Sequence, residues 1–320
     1  MKMMRKAVPM ILVMVLLLMT LAGCGGTTTT TTPTPAPAEP DVVAPEDREP
    51  IQIATKVTAE QYILGEMLSI LIEEKLGYPT EITKGLADSN IVQPALENGD
   101  VDLYPDYTGS CWANILGYDP TGVSNDEMFA GLKEEYEQKF GITWLGLYGF
   151  NNTYGVVVDK TFAETHGLKT ISDLAAISEE VRFGANPTYI ERPDALPALS
   201  EAYGLNFKEI VEVDISLRYA TIENGEADAS VAFTTDAQLA VGNVVLLEDD
   251  LNAQNAYYCS TIVRQDTLAE YEGLEETLML MNGLIGDAEM AAMNYEVEIE
   301  GRDEYEVARE YLVNKGLLEA

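Results

Sequence analysis

Short apolar runs alternate with amphipathic stretches through residues 51–320, a pattern that predicts α/β lobes with mainly parallel sheets flanked by helices. Ile51-Gln52-Ile53-Ala54 reads as a first strand. Thr58 then opens a helix, with Gln61 placed for a capping box and Ile63, Met67, Ile70 and Leu71 on its apolar face. Gly77 ends it, and a strand near Glu81–Thr83 and a helix from about Ser89 to Leu96 complete the opening unit. An internal echo follows. Residues 91–104 read IVQPALENGDVDLY and residues 217–233 read LRYATIENGEADASVAF. Each is a helix stopped by Asn-Gly, an acidic pair around one small residue, and a short strand ending in an aromatic. Just beyond come Tyr107-Thr108-Gly109-Ser110 and Phe233-Thr234-Thr235-Asp236, each leading into another helix. Open α/β sheets take ligands at the carboxyl ends of strands, so two such ends predict a cleft between two lobes. Strands beginning at Asn151-Asn152-Thr153-Tyr154 and at Tyr257 supply two crossings. The expected division is residues 51–152 for the first lobe, 153–257 for the second, and 258–320 returning to the first.

The chain opens on a different kind of apolar run. Lys2, Arg5 and Lys6 precede an apolar run from Ala7 to Leu21, and Leu21-Ala22-Gly23-Cys24 ends it. A basic start, a short apolar core and small residues at the cleavage point describe an export signal over residues 1–23. The cysteine after that point resembles the lipobox of bacterial lipoproteins, which implies lipidation at Cys24; the alternative is an ordinary signal peptide with an incidental cysteine. Residues 24–50 are rich in Thr, Pro and Ala without apolar period, a solvated tether. The expected location is extracytoplasmic, tied by lipid to the outer face of the cell membrane. No later segment is long and apolar enough to span a bilayer, so a transport role requires separate membrane subunits.

Charge narrows the partners. There are 54 acidic against 19 basic side chains, a net charge of −35. Such a surface repels nucleic acid, excluding it as a partner, and favours approaching cations. Beyond Cys24 only Cys111 and Cys259 remain; an oxidising exterior permits a bridge between them, and two cysteines alone do not settle whether they meet. The single histidine, His166, reads as a helix end, and no Gly-x-Ser-x-Gly elbow, phosphate-cradling loop or His/Cys metal spacing occurs. No enzyme, cofactor or metal is therefore expected. Tyrosine outnumbers phenylalanine 17 to 7, with several tyrosines at strand ends. They read either as packing at half-wet lobe edges or as a cage of ring faces for a cation.

Several segments, taken in order, carry a resemblance. They are Ala54-Thr55-Lys56, Glu60-Gln61-Tyr62-Ile63-Leu64, Pro94-Ala95-Leu96-Glu97-Asn98-Gly99-Asp100 and Tyr104-Pro105-Asp106-Tyr107-Thr108-Gly109-Ser110. Asn151-Asn152-Thr153-Tyr154, Arg192-Pro193-Asp194 and Thr234-Thr235-Asp236 continue it. Together they resemble the substrate-binding proteins of osmoprotectant uptake ABC transporters, which bind glycine betaine, choline, carnitine and related quaternary amines. The resemblance implies a type II periplasmic-binding-protein fold, with lobes closing on ligand and delivering it to ABC permease subunits. It implies an aromatic cage of Tyr107, Tyr154, Phe233 and Tyr257, with Tyr258 competing for the last place. Phe233 stands where the family often has tyrosine. Lys56, Ser110 and Arg192 are implied to hold a ligand carboxylate. The competing expectations are choline or another carboxylate-free amine, and a ligand-sensing module; a secreted hydrolase would need a nucleophile that the chain does not show.

Overall fold

Two five-stranded sheets organise the computed structural model, which describes residues 44–120, 122–192 and 195–319. The export signal, Cys24 and the tether up to residue 43 lie outside the described residues, as do Pro193 and Asp194. In chain order the strands are β1 (Ile51–Lys56), β2 (Thr80–Leu86), β3 (Leu103–Tyr107), β4 (Ile142–Asn151), β5 (Tyr154–Asp159), β6 (Arg182–Ala185), β7 (Glu209–Glu212), β8 (Ala229–Phe233), β9 (Val244–Leu247) and β10 (Tyr258–Arg264). The helices that matter below are α1 (Ala59–Leu76), α2 (Ser89–Asn98), α3 (Arg218–Glu223), α4 (Asp287–Glu298) and α5 (Glu304–Asn314). The first sheet runs β2-β1-β3-β10-β4 and the second β7-β6-β8-β5-β9.

Both sheets are mixed, not mainly parallel as the sequence pattern suggested. β1 is parallel to β2 and β3, and β6 to β7 and β8, as expected of βαβ units. β10 lies antiparallel between β3 and β4, and β5 antiparallel between β8 and β9. The reason is where the chain crosses. β3, β4 and β8 end at the face where the sheets meet, and the chain re-enters each sheet at that same face. A strand that starts there can only run away from it.

Thr58 caps α1 as expected, its hydroxyl accepting from the Gln61 N–H at 3.2 Å, and Gly77 ends the helix. The Gln61 side chain makes no capping box. It accepts instead from the Lys56 N–H at 3.2 Å and donates to the Tyr107 hydroxyl at 3.1 Å. The apolar face of α1 is wider than Ile63, Met67, Ile70 and Leu71, because Leu64, Leu68 and Ile72 are buried too. The C-terminal helices cover that second face: Leu274, Leu278, Met290, Val307 and Leu312 join α1 and β1 in one core. A second core, under the opposite face of the first sheet, gathers Val92, Leu96, Tyr104, Tyr136 and Trp144. The second sheet has its own, built on Val156, Phe183, Tyr189 and Val231.

The internal echo is structural as well. Asp102 and Asp228 stand at matching places before β3 and β8. The Asp102 N–H donates to the Gln52 carbonyl at 2.8 Å while its carboxylate accepts from the Gln52 N–H at 2.8 Å. Asp228 does the same with Arg182, both at 2.9 Å. The second acid of each Asn-Gly motif thus starts a parallel strand pair by extending its ladder with a side chain. Gly99 and Gly225, at φ 82° and 67°, make the turns that precede them.

Candidate functional site

The ends of β1, β3, β4 and β8 and the starts of β5 and β10 meet where the chain crosses between sheets. The crossing segments are laced together. The Asn152 N–H donates to the Tyr257 carbonyl at 3.1 Å, the Tyr257 N–H to Asn151 Oδ1 at 2.7 Å, and the Thr153 hydroxyl to the Asn255 carbonyl at 2.6 Å. Thr234, just past β8, accepts from the Thr153 N–H at 3.0 Å and donates through its hydroxyl to the Asn151 carbonyl. A cavity of about 680 Å³ opens beside this lacing, lined by Asn151, Tyr154, Thr234, Gln254, Tyr258 and Asp287 among others. That is an ordinary size for a small-molecule site.

On the second sheet the expected residues converge. The Tyr154 and Phe233 rings stack with centroids 5.0 Å apart and planes inclined at 25°. They belong together because β5 and β8 pair in register at these two positions. The Arg192 guanidinium lies 5.8 Å from the centre of the Tyr154 ring. Tyr189, which the sequence reading missed, meets Tyr154 edge-on at 4.8 Å and is fully buried. Its one available signal was its place a helical turn before Arg192. Arg218, also missed, sits 5.9 Å from the Phe233 ring centre and pairs with Asp236 at 2.6 Å. Asp236 in turn accepts from the Phe233 N–H at 2.8 Å, so the loop after β8 is pinned from two sides.

On the first sheet the arrangement is tighter. Lys56 is buried and forms an ion pair with Asp106, itself wholly buried, and it donates to Ser89 Oγ at 3.3 Å. Its ammonium also lies 4.5 Å from the centre of the Tyr107 ring. Burial works to raise the Asp106 pKa, but the Lys56 ammonium, the Tyr107 N–H and the Cys111 thiol outweigh it and hold the carboxyl below its usual range. Lys56 therefore meets any ligand with its charge already balanced. Tyr107 is buried, its hydroxyl donating to Glu60. Burial and the Glu60 charge push that phenol well above its usual pKa, so it stays a donor. Ser110 is half-buried in the turn after Tyr107, and the Tyr257 ring packs on Gly109, where a Cβ would fall 2.8 Å from ring carbon Cε1. Tyr258, not Tyr257, lines the large cavity. The expected residues thus form two groups, Tyr154, Phe233 and Arg192 on one sheet and Lys56, Tyr107, Ser110 and Tyr257 on the other.

Residues 49–314 match the family described as the substrate binding domain of the ABC-type glycine betaine transport system. The chain belongs to that family. Among its relatives, the Helicobacter pylori protein "Ergothioneine transport permease/ergothioneine binding protein EgtU" is 37% identical over 272 residues, covering 85% of this chain and 48% of the relative. The chain thus spans about half the length of that relative. The Listeria monocytogenes "Carnitine transport binding protein OpuCC" is 30% identical over 274 residues, 85% of this chain and 89% of the relative. Of solved structures, the crystal structure of a glycine betaine/carnitine/choline ABC transporter protein aligns with TM-score 0.79 at 28% identity, over 83% of this chain and 99% of that one. Apo YehZ from Escherichia coli aligns with TM-score 0.77 at 25% identity, over 85% and 100%. The fold is that of type II periplasmic binding proteins. Among the described residues no helix is long and apolar enough to cross a membrane.

Cys111 and Cys259 are both free and buried, so the bridge that the sequence left open is not formed. Burial, with the nearby Asp106 and Glu60 charges, pushes both thiols well above the usual range. Alkylation of the native protein at mildly alkaline pH should therefore leave both unmodified, and unfolding in urea should expose both. Peptide mass mapping reads this, and labelling of either thiol before unfolding would contradict it.

Proposed function

We propose that the protein captures a zwitterionic quaternary amine, a trimethylammonium carboxylate, and delivers it to ABC permease subunits. The observation that carries the reading is the group on the second sheet: the stacked Tyr154 and Phe233 rings, Tyr189 edge-on to Tyr154, and a guanidinium over Tyr154. A quaternary ammonium has no N–H, so hydrogen bonds cannot select it, whereas ring faces attract it by about 0.5–2 kcal/mol each. A guanidinium fork suits the carboxylate at the other end. Carnitine, glycine betaine and ergothioneine, which appear in the relatives' names, all have this chemistry. In this reading residues 51–152 and 258–320 form one lobe and 153–257 the other, and the lobes close on the ligand. Tyr107 and Ser110 face it from the first lobe and Tyr257 from the crossing segment beside them, no bond is made or broken, and Cys24 anchors the protein to the outer face of the membrane by lipid.

The balanced charge of Lys56 favours one competitor, a ligand without a carboxylate such as choline. Calorimetric titration with glycine betaine, carnitine, ergothioneine, proline betaine and choline separates the two. Saturable one-to-one binding that prefers the carboxylated amines is the expected result. A preference for choline would overturn the carboxylate half of the proposal, and no binding across the panel would overturn it all.

A further inference from the structure

Glu60 is only 3% exposed, and no ion pair with it occurs among the described residues. A buried, unneutralised carboxylate is costly and persists where donors surround it. Three donors do. The Tyr107 hydroxyl donates to Oε1, Asn152 Nδ2 donates to the same oxygen at 2.9 Å, and Asn294 Nδ2 donates to Oε2 at 3.3 Å. Glu60 also sits in the first turn of α1, where the helix dipole favours a negative charge. The donors come from separate parts of the molecule: the end of β3, the first crossing segment, and α4. Asn294 reaches further, donating to the Thr235 carbonyl at 2.9 Å in the loop after Phe233. One carboxylate therefore joins a tyrosine of the first sheet to the crossing and to the loop that follows Phe233 of the second.

We propose that Glu60 is a positioning residue of the ligand site, fixing the Tyr107 ring through its phenol and registering that ring against the second sheet through Asn152 and Asn294. This rests on the quaternary-amine reading above. Only an acceptor on both oxygens satisfies all three donors. A glutamine would turn an N–H₂ against one of them and remove the charge that polarises the phenol. A phenol bonded to a carboxylate is richer in electrons than a free one, so its ring attracts a cation more strongly.

The test is a double-mutant cycle of Glu60→Gln and Tyr107→Phe in the full chain, with affinity for the tightest amine of the panel read by calorimetry and thermal unfolding followed alongside. Glu60→Gln is expected to weaken binding ~10-fold or more, the scale of one lost hydrogen bond to a charge. Tyr107→Phe, which keeps the ring and removes only the hydroxyl, should weaken it comparably. In the Tyr107→Phe background Glu60→Gln should then change affinity little, since its route to the ligand is already cut. Equal factors in both backgrounds, or wild-type affinity in both single variants, would overturn the proposal while the functional reading stands. If Glu60→Gln fails to fold, Tyr107→Phe alone decides, because wild-type affinity without the hydroxyl rules the mechanism out. A wild-type protein that binds no amine of the panel would defeat the functional reading and this inference with it.

Discussion

Asp106→Ala is expected to destabilise the protein by about 3–5 kcal/mol, the usual cost of stranding one partner of a buried ion pair. Lys56 would be left in the core with its counter-charge gone, keeping the Ser89 hydroxyl and the face of the Tyr107 ring. The Ser89 hydroxyl, the Tyr107 N–H and the Cys111 thiol would also lose an acceptor, at 3.1, 2.7 and 3.2 Å respectively. Adding Lys56→Met should recover much of the loss, since removing both charges also removes the need to desolvate them. Urea unfolding of the single and double variants measures this. A single variant within about 1 kcal/mol of wild type would place the pair in the range of exposed salt bridges instead. The pH dependence has a definite sign. The carboxyl's pKa is lower in the folded protein than in the unfolded chain, so its contribution is complete above the unfolded value near 3.8 and is lost as pH falls through the folded one. The stability gap between wild type and Asp106→Asn should therefore narrow with acidification below about pH 4.

Arg192→Ala should weaken binding of carboxylated amines by about 10- to 150-fold, the equivalent of one charge-assisted hydrogen bond of about 1.5–3 kcal/mol. Choline, with no carboxylate, should lose far less. Arg192→Lys should restore the attraction only in part, because a point charge does not reproduce the planar fork and stacks less well over the Tyr154 ring. Calorimetry on the three proteins with glycine betaine and choline gives the comparison. Equal losses for both ligands would mean that Arg192 acts by holding Tyr154 in place rather than by meeting a carboxylate.

What was legible in the chain was local chemistry and ordered motifs. Thr58 and Gly77 bound the first helix because capping depends on residues within a turn of the helix end. The two Asn-Gly motifs marked matching strand starts because the left-handed turn and the acid after it act over a few residues. That Tyr154 and Phe233 belong to one group was implied by the family resemblance alone; their stacking against each other follows from β-register. Less legible was anything that depends on who arrives from far along the chain. Gln61 is placed for a cap by spacing, yet the Tyr107 hydroxyl, brought alongside by β3, offers it a buried partner.

By itself, the sequence determined the alternation of strands and helices, the helix ends and the repeated edge, and its family resemblance implied a set of candidate residues for a cationic, carboxylated ligand. Only the tertiary structure decided the rest. It made the sheets mixed, since strand direction depends on the end at which the chain re-enters. It balanced Lys56 with Asp106, 50 residues away, and set Glu60 among donors from three distant segments. It also left Cys111 and Cys259 as separate thiols. The physical reason is common to all of these. Composition and spacing report which groups a chain carries, but the partner of a buried charge or thiol is chosen by packing, and packing joins residues that the sequence keeps apart.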